Sequence, residues 1–422
     1  MIHEVLVDIL ILAGMAAIAA GRIPTLRMNR AGIAFLAAAL LILVGAIPLS
    51  AALAAIDMGT IALLLSMMIL VSAIRMSGLF SIVAARLSGL AGFQRLFLAS
   101  IILVSGLLSA LFLNDTMCLV LGPVVAETSM RARRNPVPYL VATATAANVG
   151  SAATIIGNPQ NMLIGARSGI PFVEYATRVG PPALIGLVVC WVVIMLVFPG
   201  EFRRTAASRS GVGHNMAQAR VIGAGLMGKL TLDRHLAIKS VLASAAMLTG
   251  FLAGVPVVIA AMVPAAFMLA SRRTESERIL IGVDFNLLVF FAGLFIMTDA
   301  ASRTTAFTML ARTALSGATE SPWIFSAATA VISNVISNVP AVMVLSPLAS
   351  AAADPHRAWL ALAMASTFAG NLTLMGSVAN LIVAEGAATR GARLGFWDYL
   401  KAGLPITIIT IALGTAWLSL TA

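Results

Sequence analysis

The pentapeptide Gly157-Asn-Pro-Gln-Asn161 interrupts an apolar stretch, and a related pentapeptide, Gly376-Ser-Val-Ala-Asn380, follows 219 residues later. Each stands three residues after a threonine, Thr154 or Thr373, and each is followed by an apolar run. Glycine permits unusual backbone angles, proline lacks a donor, and the final asparagine of each motif is suited to cap a new helix. A simple kink needs only one glycine or proline, so the two motifs predict one broken helix in each half of the chain.

Two further pairs of motifs recur in the same order. Phe172-Val-Glu-Tyr175 returns as Phe396-Trp-Asp-Tyr399, 224 residues later. Asn114, which stands nine residues before a proline, returns as Asn338 with the same spacing and the same offset. Several ordered matches at nearly one offset indicate an internal repeat.

The repeat divides the chain into halves at residues 1–199 and 237–422, joined by a basic linker at 200–236. Each half is predicted to contain three spans, an interfacial helix, a re-entrant hairpin, a broken span and a final span. Five crossings per half make the second half inverted, which is typical of secondary transporters. The predicted hairpins are at about 96–129 and 322–351, the broken spans at about 137–169 and 357–390, and the interfacial helices at Ile82–Leu90 and Phe307–Leu315.

Composition gives the class of protein independently. The 422 residues are 60% hydrophobic and 10% charged, and the mean hydropathy is +1.01. Stretches such as Ala31–Ser50 and Pro181–Phe198 are long enough to cross a bilayer. This excludes a soluble enzyme and a nucleic-acid binder, and we expect an all-α polytopic membrane protein without resident cofactor or metal. The two cysteines lie in apolar stretches without ligand spacing, so we expect no disulfide.

The net charge of +11 comes largely from short loops. Placing most Lys and Arg in the cytoplasm predicts a cytoplasmic central loop, both termini outside, and insertion in the inner (plasma) membrane. The residues before the first apolar stretch are acidic rather than basic, so we expect a retained first span rather than a cleaved signal.

Asp115 is the charge that departs from this pattern, because it lies deep in an apolar block in the first predicted hairpin. An ionised carboxylate there is costly, so it should be paired, bound to an ion, or protonated. We therefore predict that Asp115 carries the coupling proton. The alternative is a capping role satisfied by the backbone N–H groups of Thr116–Cys118.

Amides and hydroxyls at the four predicted breaks complete the candidate site. Amide oxygens and exposed carbonyls can coordinate a cation, while amide and helix N-terminal N–H groups can hold a polar solute. The alternative is polar contact between helices without a ligand. No Arg or Lys falls at a break, which favours a neutral, hydroxyl-rich solute. The predicted solute- or ion-binding residues are Asn114, Thr116, Thr154, Gly157, Asn158, Asn161, Ser337, Asn338, Thr373, Gly376, Ser377 and Asn380.

These motifs resemble the ion-transporter superfamily, which includes divalent-anion, citrate and arsenite permeases, and the resemblance covers essentially the whole chain. The pair Asn114-Asp115 is similar to an Asn-Asp pair of arsenite permeases. Sodium-coupled dicarboxylate carriers instead show Ser-Asn-Thr at both hairpin tips, where this chain has Leu113-Asn114-Asp115 and Ser337-Asn338-Val339. The resemblance implies an elevator-type mechanism, a homodimer and, for a true arsenite permease, a soluble ATPase subunit as partner.

The combined prediction is a proton-coupled secondary transporter that exports arsenite or antimonite. The first alternative is a proton- or sodium-coupled dicarboxylate or oxyanion transporter, and the second is a sodium/proton antiporter. A passive channel and a membrane-embedded enzyme are alternatives of another class, and an enzyme would need a nucleophile–base or metal constellation.

Overall fold

A computed structural model of the chain describes residues 2–20, 22–23, 28–202, 232–270, 274–305, 309 and 320–421. The helices of the first half are α1 (Ile2–Ala20), α2 (Arg30–Leu43), α3 (Leu49–Ala55), α4 (Met58–Ser77), α5 (Leu79–Ser88), α6 (Gln94–Leu111), α7 (Asn114–Arg131), α8 (Pro136–Ser151), α9 (Pro159–Ser168), α10 (Phe172–Val197) and α11 (Pro199–Phe202). Those of the second half are α12 (Arg234–Leu252), α13 (Val257–Leu269), α14 (Ser276–Ile281), α15 (Phe285–Ser302), α16 (Pro322–Ile336), α17 (Asn338–Ser350), α18 (Pro355–Ala369), α19 (Val378–Ala388) and α20 (Phe396–Thr421). Two-residue strands, β1 (Arg22–Ile23) and β2 (Met28–Asn29), pair antiparallel between α1 and α2.

Two predicted segments lie outside the described residues. They are positions 203–231 of the basic linker and, apart from residue 309, the interfacial helix Phe307–Leu315.

The two halves share one order of elements. In both, four helices begin the half, and a hairpin, a broken span and a long final helix follow, so that α12–α15, α16–α17, α18–α19 and α20 match α1–α4, α6–α7, α8–α9 and α10. In the first half, the short helix α5 lies between α4 and the hairpin. Their packing is reciprocal: α2 packs on α15 while its counterpart α13 packs on α4, and the final helices α10 and α20 pack on each other. Reciprocal contacts are what a two-fold axis between the halves produces. The prediction of an all-α fold with two inverted repeats is confirmed.

The helices form two bundles. The span bundle comprises α1–α4 and α12–α15, which pack chiefly on one another. The hairpin bundle comprises α6–α10 and α16–α20, in which both hairpins surround both broken spans. Contacts between the bundles are fewer and run mainly through α4, α9, α15 and α17.

Seven described helices are long and apolar enough to cross a membrane, namely α1, α4, α6, α10, α12, α15 and α20. One expectation about span length was wrong, and the arms of the first hairpin are longer than half-depth helices. The stretch Ala31–Ser50 is not one helix, because α2 ends where Gly45 adopts a φ of 77° and Pro48 follows. The arms of the first hairpin have 18 residues each, about 27 Å at 1.5 Å per residue, and are therefore longer than half the membrane depth.

An aspartate cap begins the third long helix of each half. Oδ1 of Asp57 accepts a hydrogen bond from the N–H of Thr60 at 3.0 Å, and Oδ1 of Asp284 accepts one from Leu287 at 3.3 Å. Each carboxylate satisfies one of the free N–H groups of the first turn and lies at the positive end of the helix dipole. Both aspartates therefore have a structural role at a helix start, and Asp284 has a further position described below.

Candidate functional site

The breaks of the chain lie together inside the hairpin bundle. At the tip of the first hairpin, the N–H of Asn114 donates to the carbonyl of Gly157 in the first broken span at 3.0 Å. In the second hairpin, Nδ2 of Asn334 donates to the carbonyl of Ala369, where the second broken span is interrupted, also at 3.0 Å. Each hairpin is therefore attached to the break of its own half.

Asn148, near the end of α8, connects the two halves. Its Nδ2 donates to Oδ1 of Asn371 at 3.0 Å and to Oδ1 of Asn380 at 2.9 Å. Its Oδ1 accepts from Nδ2 of Asn114 at 3.1 Å and from the hydroxyl of Ser377 at 3.2 Å. All four hydrogen-bonding positions of this buried amide are used, which makes it the central member of a network that joins the first hairpin to both broken spans.

Asn161 and Asn380 have the same role in the two halves. Nδ2 of Asn161 donates to the carbonyls of Ser151 and Thr154, at 3.2 and 3.1 Å. Nδ2 of Asn380 donates to the carbonyl ten residues upstream at 2.7 Å and to that of Thr373 at 3.0 Å. Both amides bridge the break and satisfy carbonyls that an interrupted helix leaves free.

The expectation that Asn161 and Asn380 cap the continuing half-helices was wrong. The cap of α9 is Asn158, whose Oδ1 accepts from the N–H of Asn161 at 2.8 Å because its own backbone is extended just before Pro159. Nδ2 of Asn158 also donates to the hydroxyl of Thr367 in the opposite half at 3.2 Å. The cap position of α19 is Ser377, which makes no side-chain cap bond.

Three other predicted residues hold the backbone in place. The hydroxyl of Thr154 donates to the carbonyl of Ala110 at the end of α6, at 2.5 Å. A Cβ atom on Gly157 would lie 2.2 Å from the carbonyl oxygen of Ser151, and one on Gly376 would lie 2.9 Å from a side-chain oxygen of the second hairpin. Both glycines are thus needed for close approach of the backbone at the breaks.

The tip of the second hairpin is less satisfied than that of the first. Ser337 has φ 79° and ψ 158°, a conformation that non-glycine residues rarely adopt. Asn338 is buried, and its Oδ1 has no hydrogen-bond partner among the described residues. Asn114, its counterpart, is bound through both atoms of its amide, since its Oδ1 accepts from the N–H of Asp115 at 2.9 Å. Unpaired buried polar atoms and backbone strain are typical of functional sites.

A cavity of about 200 Å³ lies between the two bundles beside the first hairpin tip. From the hairpin side it is lined by Asp115 and Thr116, and from the span bundle by Ser72, Arg75 and Asp284. Asp115 is half-buried and makes no capping bond through its carboxylate in the described part of the chain, so the capping alternative is not observed. Within the described ranges, no group of three His, Cys, Asp or Glu side chains could hold a metal ion.

Sequence reasoning missed the charges around this cavity. No cation falls at a break in the sequence, but the fold places Arg75 in the cavity wall and brings Arg30 within electrostatic range of Asp115. It also missed Asn148 and Asn371, although the two asparagines recur at an offset of 223 residues, which is the signal of the other repeats. The inference of a site without positive charge was therefore wrong for the cavity, which has Arg75 in its wall. The bonds of the amide network are made without Arg or Lys side chains.

Comparison with known proteins points to membrane transporters. The model of the citrate transporter family, CitMHS, matches residues 14–369 and, in a second match, 303–421. The chain is 33% identical to a 46 kDa membrane protein of Mycobacterium leprae, with 86% of each chain covered. It is 30% identical to the silicon efflux transporter LSI3 of Oryza sativa subsp. japonica, with 93% of each covered. It is 25% identical to the putative transporter arsB of Dictyostelium discoideum, with 92% and 87% covered.

Among solved structures, the chain resembles the YdaH transporter of Alcanivorax borkumensis, whose crystal structure is described as having an unusual topology. The TM-score is 0.50 at 15% identity, with 99% of this chain and 97% of that chain covered. At this identity the likeness concerns the fold alone.

Proposed function

Because the chain belongs to the citrate transporter family of the ion-transporter superfamily, we propose that it is a proton-coupled secondary transporter that exports arsenite or antimonite. Membership of this family makes the chain a multi-pass membrane transporter of small solutes. The solute, the coupling ion and the mechanism form the proposal.

The amide network is the observation that carries the solute class. Its bonds are made by neutral amides and hydroxyls. Among the described asparagines at the hairpins and breaks, three buried amide atoms have no partner: Oδ1 of Asn334 and Oδ1 of Asn338, which can accept, and Nδ2 of Asn371, which can donate. A hydroxyl group supplies both a donor and an acceptor. Arsenous, antimonous and silicic acids are small, uncharged and hydroxyl-rich, and two of the relatives carry names that refer to silicon and to arsB.

Asp115 supports coupling to protons. It lies on the hairpin bundle, next to Asn114 of the network. Its side chain borders the cavity and forms no ion pair with the described residues. A carboxyl group in such a position can bind a proton in one orientation of the carrier and release it in another. Solute and proton would then be bound by one moving unit.

The division into two bundles supports an elevator-type movement. The network lies wholly in the hairpin bundle, and the cavity lies where this bundle meets the span bundle. We propose that the hairpin bundle moves against the span bundle, with the central loop cytoplasmic and both termini outside. The cavity beside Arg30 and Arg75 then opens to the cytoplasm, as the positive-inside rule would place it.

A dicarboxylate or oxyanion is the second candidate solute. The observation in its favour is the pair of arginines near the cavity, since guanidinium groups bind carboxylates and oxyanions in a fixed geometry. The family description, which refers to citrate, agrees with it.

Transport assays in proteoliposomes distinguish the two. Arsenite, antimonite, silicic acid and citrate are offered separately to the wild type, with an imposed pH or sodium gradient. We expect pH-driven arsenite flux in the wild type, its loss of pH dependence in Asp115→Asn, and unchanged flux in the control Asp233→Asn, an exposed cap of α12. Citrate flux without arsenite flux would replace the solute, and pH-driven flux in Asp115→Asn would end the coupling role.

A further inference from the structure

We propose that Arg75 and Asp284 of the span bundle form the site at which Asp115 releases its proton. The proposal rests on the proton coupling proposed above and assigns a function to two residues that stand outside the breaks. Arg75, Asp284 and Asp115 all line one cavity, although the first two belong to the span bundle and Asp115 belongs to the hairpin bundle.

The three cavity residues differ in how they are held. Asp284 caps α15 through Leu287, so its carboxylate is fixed at the helix start, and it is exposed. Arg75 lies in the last turn of α4, where a cation is favoured by the helix dipole, and it is also exposed. Asp115 is half-buried on the opposite wall. The cavity therefore leads to the carboxyl group of Asp115 between a cation and an anion of the span bundle.

The charged groups near Asp115 come from three helices of the span bundle, α2, α4 and α15. Arg30 at the start of α2 and Asp284 interact with it electrostatically, and Arg75 shares its cavity. On its own helix the nearest titratable group is Cys118, which is buried. Glu127, bound by Arg131 and Arg390, stands twelve residues further along α7, about 18 Å away.

The charges of the span bundle explain why release would occur in this conformation. A guanidinium group favours the ionised carboxylate and a second carboxylate disfavours it, so Arg30 and Arg75 promote loss of the O–H proton of Asp115 while Asp284 opposes it, and the two cations outnumber the one anion. The proton passes to cavity water, directly or through the carboxylate of Asp284, and the electron pair stays on Asp115. When the hairpin bundle moves, Asp115 leaves these charges behind, and the same carboxyl group can then take up a proton.

The other half of the molecule shows the contrasting arrangement. Asp57, the counterpart of Asp284, is bound by Arg167 of the hairpin bundle, with Nε 3.5 Å from Oδ2. Asp284 instead borders an open cavity. Two equivalent aspartates in different environments are expected when only one side of an inverted-repeat carrier is open.

The test is a titration of Asp115 itself, which needs no solute. The infrared carbonyl band of its protonated form, identified by its absence in Asp115→Asn, is followed against pH in the purified full-length protein in lipid. In Arg75→Gln we expect the midpoint to move about one pH unit toward alkaline, and in Asp284→Asn to move toward acid. Asn can still cap α15, and Arg86→Gln and Asp233→Asn, both exposed outside the cavity, should leave the midpoint unchanged.

Unchanged midpoints in both Arg75→Gln and Asp284→Asn, with both variants folded by size-exclusion chromatography, would overturn the proposal. Shifts of equal size in the control variants would also overturn it, because the effect would then be one of net charge. Failure of the proposed function gives a different result: arsenite flux is missing in the wild type, while the titration of Asp115 is still measured.

Discussion

Arg167 of the hairpin bundle is bound to Asp57 of the span bundle, with Nε 3.5 Å from Oδ2. Its guanidinium carbon also lies 5.0 Å from the ring centre of Phe295, on the other side of the same interface. Both partners of the ion pair are about three-quarters buried, with 30% and 21% of their side chains exposed. The contact joins the end of α9 to the start of α4, whereas the cavity lies at the start of α9, at Pro159, and near the end of α4, at Arg75. It holds the two bundles together in the conformation observed.

Loss of this ion pair should shift the population of conformations. In Arg167→Gln we expect the observed conformation to lose about 1 kcal/mol, a change of roughly fivefold in population. The labelling rate of Thr116→Cys by a membrane-impermeant maleimide measures cavity opening, because Thr116 lines the cavity and both native cysteines are buried. The rate should fall in Arg167→Gln and stay constant in the exposed control Arg95→Gln. Equal labelling in all variants would contradict the role.

Removal of Asn148 should destabilise the whole hairpin bundle. Asn148→Ala removes the partner of Nδ2 of Asn114 and of Oδ1 of both Asn371 and Asn380, at about 1–3 kcal/mol for each group left unsatisfied. We expect the free energy of unfolding in detergent to fall by at least about 2 kcal/mol, and further in Asn148→Asp, which has no donors. Thr249→Ala, an exposed position on α12, should change it by less than about 0.5 kcal/mol. A fall no larger than that of Thr249→Ala would show that the amides find other partners.

Relief of the strained backbone at the second hairpin tip should stabilise the fold. Ser337→Gly removes the cost of a φ of 79° at a residue with a side chain, and we expect a gain of about 1 kcal/mol after the greater chain entropy of glycine is included. Ser337→Ala keeps the strain and should stay near the wild type. The thermal unfolding midpoints of the three proteins provide the measurement. A lower midpoint for Ser337→Gly would mean that the hydroxyl contributes more than the strain costs.

The contact of α6 with α8 depends on two facing glycines. A Cβ atom on Gly150 would lie 2.3 Å from the Cα and the carbonyl oxygen of Gly106, which are backbone atoms and cannot move aside as a side chain can. We expect Gly150→Ala to lower the free energy of unfolding by about 2 kcal/mol or more. Gly180→Ala is the matched control, since no atom of the described residues outside the local helix backbone lies within 4 Å of its Cβ position in α10, and it should be neutral or stabilising by up to about 1 kcal/mol. Equal yields and midpoints for both variants would contradict the close approach.

Features that depend on a few neighbouring residues could be predicted from the sequence. Gly157 and Pro159 interrupt a helix through their own backbone properties, and the recurrence of the motif at 376–380 reveals the second break. The hydrophobic content identifies the solvent as lipid without any knowledge of packing. For this reason, the sequence alone could predict the class of transporter, the order of the helices and the place of Asp115 beside Asn114.

Features that join residues far apart were decided only by the tertiary structure. The bond from Asn148 to Asn371 spans 223 residues, and Arg75 and Asp284 approach Asp115 from other helices. The Asn158-Pro159 pair is itself a local signal for a helix cap, but the carbonyls that Asn161 bridges lie seven and ten residues upstream and are brought to it only by the folded break. The sequence therefore determined where the helices break and which half repeats the other. Packing between the bundles decided which charges surround the site, because electrostatic and hydrogen-bond energies depend on distance in space and not along the chain.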